Sequence, residues 1–178
     1  MYRMLKKILT TPLVVRSEQE IRATDVEAVG MAVKEKAKKI FGGSIAIREV
    51  AAGSSNAEEQ ELTALTNAYY DVERFGVHFV ASPRHADMLF VTGPVSRNMA
   101  DGVRHSYEAM PTPKWVVAVG DGAIDGGIYR DSYAVYNRVE DLIPVDFKIP
   151  GDPPSPMTIL KSLLEILDEI DARRADRP

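Results

Sequence analysis

Met88-Leu89-Phe90-Val91, running into Thr92-Gly93-Pro94, is the stretch that decides how this chain folds. An unbroken apolar run leaves no polar face, so it reads as a strand covered on both sides and stopped by a turn. Lys114 to Val119 is a second strand of this kind, and it opens into the glycine-rich Gly120-Asp121-Gly122-Ala123-Ile124-Asp125-Gly126-Gly127. Ser44 to Val50 alternates like a strand ahead of the loop Ala51 to Asn56. Val77-His78-Phe79-Val80-Ala81 stops at Ser82-Pro83, and Ile143 to Ile149 contains a short strand.

Helical periodicity fills the intervals. Val26, Val29, Val33, Ala37 and Ile40 recur at three- and four-residue steps, predicting a helix from Thr24–Asp25 to about Phe41, ended by Gly42-Gly43. A second helix begins near Ala57 with Leu62 and Leu65 inward. A third runs from about Asn98 to Met110 with Met99, Val103, Tyr107 and Met110 on one face. The last carries the fullest set of signals: Ser155 as cap, Pro156 in the first turn, and a stripe of Ile159, Leu160, Leu163, Leu164, Ile166, Leu167 and Ile170. Doubly covered strands alternating with amphipathic helices predict an α/β, flavodoxin-like three-layer sandwich with a mostly parallel sheet. Ligands of such sheets bind beyond the carboxyl ends of the strands. The loops Ala51–Asn56, Ser82–Asp87, Thr92–Arg97 and Gly120–Gly127 all follow strands, so they are expected to gather on one rim.

Composition narrows the function classes. The chain has 178 residues, 45% of them hydrophobic, which is enough for one domain with a real core. The expected division is an N-terminal arm at 1–23, a single domain at 24–172 and a flexible tail at 173–178. A net charge of -4 disfavours nucleic acid as a partner. There is no cysteine, so neither disulfides nor thiolate ligands are available. No apolar run approaches the ~20 residues of a membrane-spanning helix, so a cytoplasmic location is expected with no direct membrane span. Met4, Leu5, Ile8 and Leu9 interleave with Lys6 and Lys7. That segment reads either as a frayed helix packed on its own domain or as a docking arm for a membrane subunit.

Taken as a set, the loops carry a resemblance. The phrases are Ile47-Arg48-Glu49-Val50 leading into Ala52-Gly53-Ser54; Tyr70-Asp71-Val72-Glu73-Arg74-Phe75-Gly76-Val77; and Ala81-Ser82-Pro83-Arg84-His85-Ala86-Asp87. They continue through Val91-Thr92-Gly93-Pro94-Val95, Pro113-Lys114-Trp115, Val119-Gly120-Asp121, Gly126-Gly127, Ile143-Pro144-Val145-Asp146 and Pro150-Gly151 before Pro153-Pro154. The chain resembles the 20 kDa cluster-bearing subunit of respiratory NADH–quinone oxidoreductase (complex I). It resembles even more the small subunit of membrane-bound, energy-converting nickel–iron hydrogenases. The likeness runs from about Ile45 to Leu167.

The resemblance implies a 4Fe–4S cluster whose four cysteine positions fall here at Ser55, Glu58, Gly122 and Asp152, with Glu59 as the acidic residue beside the second. Such a cluster is held by thiolates, and glycine offers no donor at all. The expectation is therefore no cofactor, no metal and no catalytic residue, in a small subunit whose part is structural or coupling. The implied partners are a hydrogenase- or complex I-type large subunit, a ferredoxin-like subunit and a membrane subunit. The implied place is peripheral, on the cytoplasmic face of the membrane. Two rivals stand beside it: an independent flavin- or nucleotide-binding module reusing the rim, and a regulatory module occupying the normal subunit's place.

Single residues are weighed against plainer roles. Arg84, which the resemblance sets beside the cluster, is expected to pair with Asp87 or with a rim carboxylate such as Asp152. Asp121, Asp125, Glu58, Glu59 and Asp152 lack calcium-loop spacing and read as solvated or arginine-paired rather than as cation ligands. The glycines of 120–127 lack the spacing and lysine of a phosphate loop, and His78, His85 and His105 form no zinc pair. Met88, Met99, Met110 and Met157 fall at core positions. Tyr69, Tyr70, Tyr129, Tyr133 and Tyr136 are expected to crowd the rim as a subunit seam.

Overall fold

The computed structural model describes residues 24–175. Parallel strands β1 (Ile45–Ala51), β2 (Val77–Phe79), β3 (Met88–Thr92), β5 (Trp115–Val119) and β7 (Phe147–Ile149) form one sheet in the order β2-β1-β3-β5-β7. β4 (Val95–Ser96) and β6 (Val135–Tyr136) pair antiparallel as a separate ribbon. From β1 the chain builds toward β2, and from β3 it builds the other way. The direction of winding thus switches between β1 and β3, where doubly wound sheets open a crevice. The expected α/β sandwich is present.

Period-two alternation explains the layers. Met88 and Phe90 join one core with Ile45, Ile47, Val117 and Val119, while Leu89 and Val91 join the other with Val116 and Ala118. Helices α1 (Thr24–Phe41), α2 (Ala57–Ala64) and α5 (Pro156–Ala175) cover the first face. Helix α3 (Ala100–Ala109), the short α4 (Asp121–Asp125) and the segment around Val139 and Ile143 cover the second. Val33, Ala37 and Ile40 of α1 share a core with Leu163, Leu167 and Ile170 of α5. The exposed pairs Lys36–Asp168 and Lys39–Asp171 flank that seam and add little beside the buried apolar area.

Ser155 caps α5 as expected, its hydroxyl accepting from the Thr158 N–H at 3.2 Å. Ser155→Ala is expected to lower stability by about 1 kcal/mol, read from urea unfolding. Helix α5 continues to Ala175, past the domain boundary expected at 172. The Arg173 guanidinium lies 4.9 Å over the Phe147 ring, and Arg174 donates to the Ile40 carbonyl, which ties this last turn down. Met99 is 37% exposed rather than core, because α3 begins only at Ala100 and leaves it outside the packed stripe. The expected arm at 1–23 lies outside the described residues, as does the end of the tail.

Register sets the functional rim. Ala51 pairs with Thr92, Thr92 with Val119, and Val119 with Ile149. Four strands therefore end in one row, and the loops after them emerge side by side. β2 does not reach that row, since its last residue, Phe79, pairs with Ile47. At ~3.3 Å per residue its end lies about 13 Å short of Ala51.

Candidate functional site at the strand ends

Three of the loops interlock beyond the row. The Ala52 N–H donates to the Thr92 carbonyl at 3.2 Å, and the Ser96 N–H to the Ala52 carbonyl at 2.8 Å. The Asp121 N–H donates to the Gly151 carbonyl at 2.8 Å, and the Asp121 carboxylate accepts from the Gly151 N–H at 2.9 Å. Asp121 is thus a staple between the loops after β5 and β7. Asp125 is likewise occupied, accepting from the Gly127 N–H and pairing with Arg130.

Ser55, Glu58, Gly122 and Asp152, the positions that the resemblance assigns to cluster ligands, all line one cavity with Pro94, Gly126 and Tyr129. That cavity measures only about 40 Å³, room for a few water molecules. The loops lie close around it. A Cβ on Gly122 would lie 2.8 Å from Pro94 Cδ and 3.2 Å from Gly93 Cα. Its donors are one hydroxyl, two carboxyls and, at Gly122, nothing. No thiolate is available for any corner of a 4Fe–4S cube, and no space for a side chain exists at the third position. The residues present do not fit that group. Among the described residues no cluster of three His, Cys, Asp or Glu side chains is placed to hold a metal ion.

Glu58 and Glu59 are not solvated or arginine-paired, as the sequence reading had them. Glu58 is 4% exposed, and its carboxyl fills the space left by Gly120, where a Cβ would meet Oε1 at 2.7 Å. Burial raises the Glu58 carboxyl above its ordinary value; its own backbone N–H opposes this, and the Glu59, Asp152 and Asp121 charges add to it. Glu59 faces the other way. Its Oε1 accepts from the Thr92 hydroxyl at 2.5 Å and from the Ser54 hydroxyl. With Arg48 and Glu49 of β1, Thr66, Phe79 and Ala81, Glu59 lines a cleft of about 310 Å³. Burial raises Glu49 as well, the Glu59 charge adding to it and Arg48 opposing. Glu49 was not singled out from sequence. Its signal is the strand period, which puts it on one face with Ile45 and Ile47; likewise Glu58 shares a helix face with Leu62 and Leu65.

Arg84 does not join the socket. Because β2 ends low, the turn Pro83–His85 packs against α3, and Asp87 sits at the amino ends of the strands, its carboxylate accepting from the Ala46 N–H at 2.9 Å. Among the described residues Arg84 forms no ion pair with Asp87 or Asp152, contrary to expectation. The tyrosines divide in the same way. Tyr69 and Tyr70 stack edge-to-face ahead of the amino end of β2, far from the rim. Tyr129, Tyr133 and Tyr136 lie on the excursion that the β4/β6 ribbon holds beside the socket, where Arg97 donates to the Tyr133 carbonyl and lies 5.0 Å over the Tyr136 ring. Of the exposed large hydrophobic residues, Ile128 (84%), Tyr133 (90%), Tyr129 and Met99 all fall on segments framing the socket.

Comparison with known proteins gives a consistent picture. Residues 56–166 match the family described as NADH ubiquinone oxidoreductase, 20 kDa subunit. One of the subunits of the F(420)H(2) dehydrogenase of Methanosarcina mazei is 38% identical over 114 residues, 64% of this chain and 62% of that relative. The chain therefore spans less than two thirds of that curated relative's length. Among solved structures, a chain of the membrane-bound sulfane sulfur reductase, an archaeal respiratory membrane complex, superposes with a TM-score of 0.63 at 33% identity, covering 79% of this chain and 78% of that one. A chain of an NAD+-reducing [NiFe]-hydrogenase shares the fold at 17% identity, with a TM-score of 0.55 and coverage of 71% of this chain and 92% of that one.

Proposed function

Because this chain belongs to the NADH ubiquinone oxidoreductase 20 kDa subunit family, as its phrases led us to expect, we propose that it is a cluster-less small subunit of a membrane-associated oxidoreductase complex. Its part there is to brace a large subunit against a membrane arm and to couple the two. The observation that carries the reading is the convergence of Ser55, Glu58, Gly122 and Asp152 on one closed cavity without a thiolate. The scaffold for family contacts is intact, while the donor set for family redox chemistry is not.

The proposed partners are a hydrogenase- or complex I-type large subunit on the rim, with a ferredoxin-like subunit and a membrane subunit completing the assembly. The apolar side chains framing the socket suit such a seam, since aromatic residues are enriched where subunits meet. No helix among the described residues is long and apolar enough to cross a membrane. The proposed attachment is peripheral, through partners, on the cytoplasmic face. A rim cavity of about 40 Å³ falls well short of the few hundred Å³ that small-molecule sites occupy, which disfavours a flavin or nucleotide there.

Affinity purification of the tagged chain from solubilised membranes tests the assembly. The expected result is a large-subunit relative and polytopic membrane proteins in constant ratio, identified by mass spectrometry. A monodisperse monomer, with no large subunit at any detergent strength, would overturn the reading.

A further inference from the structure

Three glutamates lie near the end of β1 and the start of α2, and each keeps one buried oxygen with no partner among the described residues: Glu49 Oε1, Glu58 Oε2 and Glu59 Oε2. An ionised carboxylate oxygen withdrawn from water without a donor bears its full desolvation cost, and a proton removes the charge that incurs it. The three are not equivalent. Glu59 already accepts two hydroxyl hydrogen bonds on Oε1. Glu49 has no donor on its buried oxygen. Glu58 is nine-tenths buried with an unpartnered Oε2, and it lines the socket, where Asp152 is a second carboxyl.

We propose that these carboxyls form a proton-holding site, with one proton kept between Glu49 and Glu59 at the cleft and a second kept on Glu58 in the socket. A proton on Glu49 turns an unpartnered acceptor into a donor within the cleft that Glu59 also lines, so one proton shared there would serve both orphaned oxygens. The charged group facing this pair in the cleft is Arg48 of β1; the side chains that α2 and β2 add to the lining, among them Leu62, Thr63 and Phe79, are uncharged. The charges that act on Glu58 are those of Glu59, Asp152 and Asp121. The balance is simple: each carboxylate takes one proton from hydronium, releasing water, and returns it as pH rises. The cleft opens to solvent beside these buried oxygens, which gives the proton a short route to water. The Glu58 proton faces the rim, where a docked subunit would cover it. The Glu49–Glu59 pair stands whatever occupies the socket, whereas the Glu58 proton rests on the cluster-less reading.

Carboxyl ¹³C shifts of the full-length chain, labelled at glutamate, test this across the acid and neutral range. Two resonances, those of Glu49 and Glu58, should titrate above the ordinary carboxylate value of ~4.3. Glu49→Gln should remove one late resonance and Glu58→Gln the other, and Glu59→Gln should move the Glu49 midpoint down. Linkage supplies an independent readout. A carboxyl whose folded midpoint is raised leaves stability greatest below the unfolded value, declining as pH climbs toward the folded one. Glu49→Gln and Glu58→Gln should each flatten that decline. The proposal fails if every glutamate titrates together in the wild-type protein, or if late resonances survive both substitutions. Loss of only the Glu58 signal, with iron bound, would remove the socket proton and leave the cleft pair standing.

Discussion

Gly93→Ala is expected to cost about 2–5 kcal/mol, a large share of the ~5–15 kcal/mol that keeps a typical domain folded. The residue sits at φ +68, and an added Cβ would lie 2.3 Å from Ser54 Cα and 2.5 Å from Ser54 N. Both neighbours are backbone atoms locked by the Ala52–Thr92 and Ser96–Ala52 hydrogen bonds, so neither can yield without opening the rim. Overpacking contributes about 1–3 kcal/mol and the left-handed backbone about 1–2 kcal/mol. Gly42→Ala separates the two contributions. It has φ +78 with nothing within 4 Å of the added Cβ, so only the backbone share, about 1–2 kcal/mol, is expected there. Urea unfolding followed by circular dichroism measures both; equal losses would show that the rim is not locked as described.

Ile128→Asp combined with Tyr133→Asp is expected to weaken association with the proposed large subunit by roughly a thousandfold, with the unfolding midpoint unchanged. Both side chains are almost fully exposed, so the isolated chain loses little by their replacement. Buried aromatic and aliphatic anchors at a seam are commonly worth about 2 kcal/mol or more each, and two such losses multiply into the stated factor. Tyr69→Asp, at the opposite end of the sheet, is the control and should leave association intact. Quantitative co-purification or surface binding reads the result. Equal retention of the double variant and the control would place the seam elsewhere.

The layers were legible because the apolar alternation of Met88–Val91 and Trp115–Val119 has a single interpretation at that length. The α5 signals were equally plain in Ser155, Pro156 and the stripe behind them. What escaped reading depends on tertiary register. β2 pairs only as far as Ile47, which removes Ser82–Asp87 and Arg84 from the rim although they follow a strand as the other loops do. The β4/β6 ribbon joins residues 39 or more positions apart through two-residue strands, too short to leave a period. Helix α4 is a single glycine-bearing turn whose composition reads as loop. At the site, the convergence of Ser55, Glu58, Gly122 and Asp152 followed from phrases recognised in sequence. The closure of their cavity did not, since it arises from Pro94 and Gly93 pressing on Gly122. The buried glutamates were within reach: Glu58 stands one turn before Leu62 on the inward face, and polarity alone drew it outward.

The proposed loss of the cluster is tested most directly by iron and acid-labile sulfide analysis of the anaerobically purified protein with whatever partners accompany it, the polypeptides resolved from one another. The closed socket predicts neither element in stoichiometric amount with this polypeptide, while any cysteine-bearing partners retain theirs. Four irons and four sulfides migrating with this chain would contradict it.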